Sequence, residues 1–195
     1  TVLQNGNVFI AYQDGGNTDY GTFVIYDSDG VEVVPPTLFK EGYSGDISAV
    51  TFNNGDVLIV YQSAGNGNLV IYDSDGNKTV AETVFDSTAL YMSVSALLND
   101  TVFIVYHDGD NLGYITFVIY DSYGNEIVAP TVIESTAIYD NDIATLQNGN
   151  VLIVYRDYGN SDYGTFGIYD PLGNEVVAPT VINSDETRVI STVIL

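Results

Sequence analysis

His107 is the single histidine of this chain, and there is no cysteine. Those two counts remove much of the usual catalytic chemistry. A cysteine nucleophile is excluded, as is a zinc or iron site made from several imidazoles or thiolates of one chain. A Ser-His-Asp triad would have to use His107, yet no Gly-x-Ser-x-Gly elbow accompanies it. No Gly-x-x-x-x-Gly-Lys segment is present to cradle a phosphate. His107 stands where parallel segments carry Gln13, Gln62 and Arg156, which reads as a solvated loop position.

What remains is oxygen chemistry. Asp14-Gly15-Gly16-Asn17-Thr18-Asp19 and Asp157-Tyr158-Gly159-Asn160-Ser161-Asp162 each place two carboxylates around Gly and Asn, and Asp108-Gly109-Asp110-Asn111 is a shorter version. Such loops could offer calcium its hard oxygen ligands, although the spacing is not that of an EF-hand. Asp14, Asp19, Asp108, Asp110, Asp157 and Asp162 are therefore candidate calcium ligands. The competing reading is plain solvated turns. Tyr20, Tyr114, Tyr158 and Tyr163 belong to the same loops, and aromatics beside amides and carboxylates can stack on sugar rings. Their alternative use is packing on neighbouring units. Paired carboxylates could also serve a glycosidase. Most acids recur in register, however, as Asp27, Asp73, Asp121 and Asp170 do, and this indicates turn chemistry. Two Asn-x-Thr sequons, at Asn77 and Asn99, fall in expected turns.

The elements that must hold these loops come from a repeat. Val8-Phe9-Ile10-Ala11-Tyr12 returns as Val57-Leu58-Ile59-Val60-Tyr61, Val102-Phe103-Ile104-Val105-Tyr106 and Val151-Leu152-Ile153-Val154-Tyr155. An Ile-Tyr-Asp anchor recurs at Tyr26, Tyr72, Tyr120 and Tyr169, and Pro-Thr at Pro36, Pro130 and Pro179. Each copy of about 48 residues divides into four short strands separated by turn formers. The second strand is continuously apolar, as burial on both faces demands. The fourth carries the proline, which suits an edge. The expected organisation is a single repeat domain, with copies at about 1–45, 46–90, 91–139 and 140–186 and a closing strand at 187–195. The fold class expected is all-β: a four-bladed β-propeller of four-stranded antiparallel sheets. Residues 1–4 align with the second half of a first strand and 189–193 with that same strand. The tail is therefore expected to complete the first blade, in the same molecule or in a neighbour.

The pattern Leu-x-Asn-Gly-Asn-Val-x-Ile-x-Tyr-x-Asp-x-Gly-Asn-x-x-Tyr-Gly-Thr-Phe-x-Ile-Tyr-Asp resembles the tandem propeller repeats of secreted and surface, adhesin-like bacterial proteins, over essentially the whole chain. The turn Tyr26-Asp27-Ser28-Asp29-Gly30 is similar to the Asp-box of sialidase-type propellers. It lacks the Trp and the residue order of that box, and no sialidase activity follows from it.

Twenty-six acidic residues against four basic ones give a net charge of −22. Such a surface repels phosphate backbones and anionic head groups, so nucleic acid is excluded as a partner. No apolar run is long enough for a membrane helix. The start, at Thr1 and without a basic segment before an apolar one, reads as a mature product or an excised piece. Together these features predict a non-catalytic module at the cell surface or outside the cell, structural or adhesive and able to polymerise through its terminal strand. A lectin using the Asp/Asn/Tyr loops is the alternative, and a glycoside hydrolase the third reading. Calcium is the one cofactor the loops suggest, and a glycan the one ligand.

Overall fold

The computed structural model describes residues 1–188 and 190–192. Every sheet is antiparallel, and among the described residues there is no α-helix. The first unit is a three-stranded sheet of β1 (Val8–Asp14), β2 (Tyr20–Tyr26) and β3 (Glu32–Tyr43). At its inner edge, among the described residues, only the Val2–Val8 bridge is added. The second unit has four strands, β4 (Gly45–Thr51), β5 (Val57–Ser63), β6 (Asn66–Tyr72) and β7 (Lys78–Asp86). Seven strands follow: β8 (Ala89–Ala96), β9 (Thr101–Asp108), β10 (Tyr114–Asp121), β11 (Glu126–Thr145), β12 (Val151–Asp157), β13 (Tyr163–Tyr169) and β14 (Glu175–Glu186). They make one sheet because β11 runs 20 residues without a break. It pairs with β10 as the outer strand of the third unit, then with β12 as the inner strand of the fourth.

The turns follow from their residues. Between β5 and β6 the chain reverses in two residues, Ala64 and Gly65, both at positive φ (53° and 90°). Two positive φ angles match the twist of a tight hairpin. The corresponding loops of units one, three and four are longer and hold 3₁₀ turns at Gly15–Asn17, Gly109–Asn111 and Tyr158–Asn160. Asp73 anchors the turn from β6 to β7: its Oδ1 accepts from the N–H groups of Asp75 (3.0 Å) and Asn77 (2.8 Å). Asp27, Asp121 and Asp170 do the same in their units.

Apolar side chains fill the spaces between units. One core joins Phe9, Phe23 and Ile25 of the first unit to Ile59, Tyr61 and Tyr72 of the second. Another joins Leu58, Val60 and Leu69 to Ile104, Tyr106 and Tyr120. The third joins Phe103, Phe117 and Ile119 to Ile153, Tyr155 and Tyr169. Alternate residues of the second strand therefore face opposite neighbours, which is why those strands are apolar throughout. Burying one such side chain contributes about 1.5–3 kcal/mol.

Among the described residues, the tail does not close the first unit of its own molecule. Among the described residues no strand pairing or apolar core joins the fourth unit to the first, and the sheets do not close into a ring. The described tail residues carry no strand. Ile190 and Thr192 lie instead against β11, where the Ile190 N–H donates to Asp140 Oδ2 (2.9 Å) and the Thr192 N–H to Asp142 Oδ2 (2.6 Å). The physical reason is that the Asp140 and Asp142 carboxylates capture the tail's N–H groups at the fourth unit. Residues 189 and 193–195 of the expected closing strand lie outside the described residues.

Candidate functional site

The three inner strands enter their sheets through a register shift, at Gly45/Ser48, Leu90/Ser93 and Ile138/Asn141. Such a bulge re-aims the side chains it carries. Asp46 and Tyr91 occupy equivalent places in it, at φ values of 46° and 51°. Neighbouring bulges are tied together. The Tyr91 N–H donates to Asp46 Oδ2 (3.1 Å), and Asn141 Nδ2 donates to the Tyr91 carbonyl (2.5 Å). Between them lies an open cavity of ≈ 220 Å³, lined among others by Asp46, Tyr91, Ser93, Asp140 and Asn141.

Aromatic rings extend from this cavity across two units. Tyr91 meets His107 edge-on, with centroids 5.7 Å apart, and meets Tyr139 at 6.3 Å. Tyr139 in turn meets Tyr158 at 5.2 Å and 84°. Tyr91, Tyr139 and Tyr158 are 42%, 44% and 54% exposed, so a ladder of half-open rings ends beside two carboxylates and an amide. Flat rings flanked by acceptors suit a ligand with an apolar face and hydroxyl edges.

Of the tyrosines singled out from sequence, only Tyr158 joins this ladder. Tyr20, Tyr114 and Tyr163 open β2, β10 and β13, half-buried and in register with Asp14, Asp108 and Asp157. Tyr91 and Tyr139 escaped the sequence reading because they stand in inner strands rather than in Gly-rich loops.

Five of the six acids proposed for calcium have local partners for their carboxylates. Asp14 accepts from the Gly16 N–H (3.0 Å), Asp108 from Asn111 (3.1 Å) and Asp157 from Asn160 (3.1 Å), each capping its 3₁₀ turn. Asp162 pairs with Arg156 (2.9 Å), and Asp110 accepts from the Ser87 hydroxyl. Asp19 sits at φ 61°, with its backbone N–H bonded to the Asp14 carbonyl (3.0 Å). Among the described residues no three acidic or imidazole side chains gather as a metal-binding group.

A second cavity of ≈ 300 Å³ lies between the third unit's outer strand and the fourth unit's 3₁₀ turn, lined by Glu134, Ser135, Thr136, Asp157, Gly159 and Asn160. The Tyr155 hydroxyl donates to Glu134 there, and the Thr136 hydroxyl to Asp157. Burial first, and then the bond to Glu134, push the Tyr155 phenol far above the ordinary tyrosine range. A phenol held neutral is a hydrogen-bond donor and the opposite of an activated nucleophile. At the equivalent place between units two and three, burial raises Asp86, and the nearby Asp108 adds to it against the Thr88 N–H.

No family model matches the chain, and no curated protein resembles it in sequence. Solved structures do resemble it in fold. AofleA from Arthrobotrys oligospora superposes with a TM-score of 0.66 at 12% identity, over 95% of this chain and 56% of that one. The NanB sialidase of Streptococcus pneumoniae gives 0.58 at 13%, over 92% of this chain and 29% of the sialidase. An α-L-arabinofuranosidase from Clostridium thermocellum gives 0.55 at 15%, over 92% and 71%. The chain thus spans little more than half the length of AofleA. At these identities the likeness is one of fold: an all-β arrangement of antiparallel sheets that carbohydrate-active proteins also use.

Proposed function

We propose that this chain is a non-catalytic carbohydrate-binding module of propeller type that acts outside the cell, as the adhesive region of a surface or secreted protein. The observation that carries the reading is the ladder Tyr91–Tyr139–Tyr158, which leads into the cavity bordered by Asp46, Asp140 and Asn141. Sugar rings would stack on the phenols while their hydroxyls donate to the carboxylates. Neutral glycans fit this site. A sialylated or uronic glycan would meet Asp46 and Asp140 on a chain of net charge −22.

The non-catalytic reading rests on the lone His107, which lines neither cavity, on the absence of cysteine and on the strongly raised Tyr155 phenol beside Glu134. The similarity of fold to a sialidase and an arabinofuranosidase agrees with a carbohydrate-related role. A glycan array probed with the chain tests the proposal. Binding to neutral glycans that is lost in Tyr139→Ala supports it, and a blank array, or binding indifferent to that variant, rejects it.

A further inference from the structure

The two terminal units leave complementary apolar faces uncovered. Ile59, Ile104 and Ile153 are fully or almost fully buried against the preceding unit, but their equivalent in the first unit, Ile10, is 42% exposed. Tyr61, Tyr106 and Tyr155 are wholly buried, and their equivalent, Tyr12, is not. The pattern is mirrored at the other end. Leu58 and Phe103 are wholly buried against the following unit, whereas Leu152 is only partly buried. Phe23, Leu69 and Phe117 are buried, whereas Phe166 is only partly buried, and Ile168 compares with Ile25, Ile71 and Ile119 in the same way. A face that is dry at three internal junctions is wet only at the ends of the series.

We infer that these two faces bind each other between copies of this chain, so that the fourth unit of one molecule docks on the first unit of the next. The internal junctions are the template, since each already joins one face of this kind to the other. A second feature has the same direction. Tyr91 donates its N–H to Asp46 of the preceding unit, and Ile190 donates its N–H to Asp140 in the same manner. The described tail residues thus stand where a following unit's inner strand belongs. The first unit, for its own share, has among the described residues only the Val2–Val8 bridge at the inner edge of β1. In the docked pair the tail of one copy would lie along the open stretch of that edge in the next. The contact is heterologous, so the series extends or closes according to its rotation. Both partners are strongly acidic, and added salt therefore strengthens the contact by screening their repulsion.

The test is sedimentation of the 195-residue chain at increasing concentration, in buffers of about 0.05 M and 0.5 M salt. Association that grows with concentration and with salt is expected. Ile10→Asp removes one face and Phe166→Asp the other, so each variant alone should be a monomer. Mixed in equal amounts they should form a dimer and stop there, because one intact pair of faces remains. Leu152→Lys replaces Phe166→Asp should the latter not fold, as judged by its melting curve. A wild-type chain monomeric under all conditions overturns the inference, and so does association that survives Ile10→Asp. Failure of the mixture to dimerise also overturns it, since only the head-to-tail arrangement predicts complementation.

Discussion

A Cβ placed on Gly173 of the fourth unit would stand 2.7 Å from the ring of Phe117 in the third. The turn between β13 and β14 therefore closes over the aromatic face of the preceding unit. Gly173 also sits at φ 81°, a region in which an L side chain is strained. Gly30 has the same conformation in the first unit (φ 79°), but nothing lies within 4 Å of its Cβ position. Gly30→Ala should cost only the backbone strain, about 1–2 kcal/mol. Gly173→Ala should cost that plus about 1–3 kcal/mol of overpacking. Denaturant melts of both variants at high dilution check the difference, and equal losses would refute the close approach.

The aromatic ladder makes a prediction separable from stability. Tyr91→Ala, Tyr139→Ala and Tyr158→Ala should each weaken binding of a neutral oligosaccharide about tenfold, the scale of one lost ring contact. Their melting temperatures should shift little, since all three residues are about half exposed and outside the apolar cores. The corresponding Phe variants should keep most of the affinity, because stacking does not need the hydroxyl. Isothermal titration calorimetry reads both series.

Asp73 and Asp170 provide a test at acid pH. Burial acts to raise them, but the Asn77 and Asn174 side chains and the turn N–H groups outweigh it and hold both below the ordinary carboxylate value. A depressed folded pKa contributes stability that is fully present above the unfolded value of about 3.9 and is lost as pH falls through the lower, folded value. The double variant Asp73→Ala/Asp170→Ala should melt below the wild type at neutral pH. That gap should hold down to about pH 4 and narrow below it. A gap of constant size at every pH would argue that the turns draw nothing from the charge.

Alkaline pH tests the buried phenols in the opposite sense. Burial pushes Tyr72 and Tyr169 up to about 12, and it drives Tyr61, Tyr106 and Tyr155 further. A raised folded pKa contributes stability present below the unfolded value of about 10 and lost as pH rises through the folded value. Phenolate absorbance should therefore rise in two stages: exposed tyrosines first, then the buried set together with loss of the β-sheet circular dichroism. A single stage near the ordinary value, with the sheet intact, would contradict the burial of these rings.

The strands and hairpins were legible in the sequence because repetition and burial act on the same residues. The run Val57-Leu58-Ile59-Val60-Tyr61 is apolar at every position because each face meets a different unit. Asp73 and its equivalents announce turns through their recurrence, and they cap those turns. The candidate site was legible only at Tyr158. Tyr91 and Tyr139 lie in or beside bulged inner strands, and a period-two reading cannot tell where a bulge turns a side chain outward. Closure of the first unit by the tail rests on alignment alone. Alignment identifies the strand that a segment imitates, but the Asp140 and Asp142 carboxylates decide which neighbour it meets.

The unbroken strand β11 makes units three and four mechanically one body. Elsewhere the backbone leaves one sheet before it enters the next, so a pull along the chain can open a junction by straining a short connection. Between units three and four the same pull runs along a strand hydrogen-bonded to β10 on one half and to β12 on the other. To separate them, ladders of both sheets would have to shear at once.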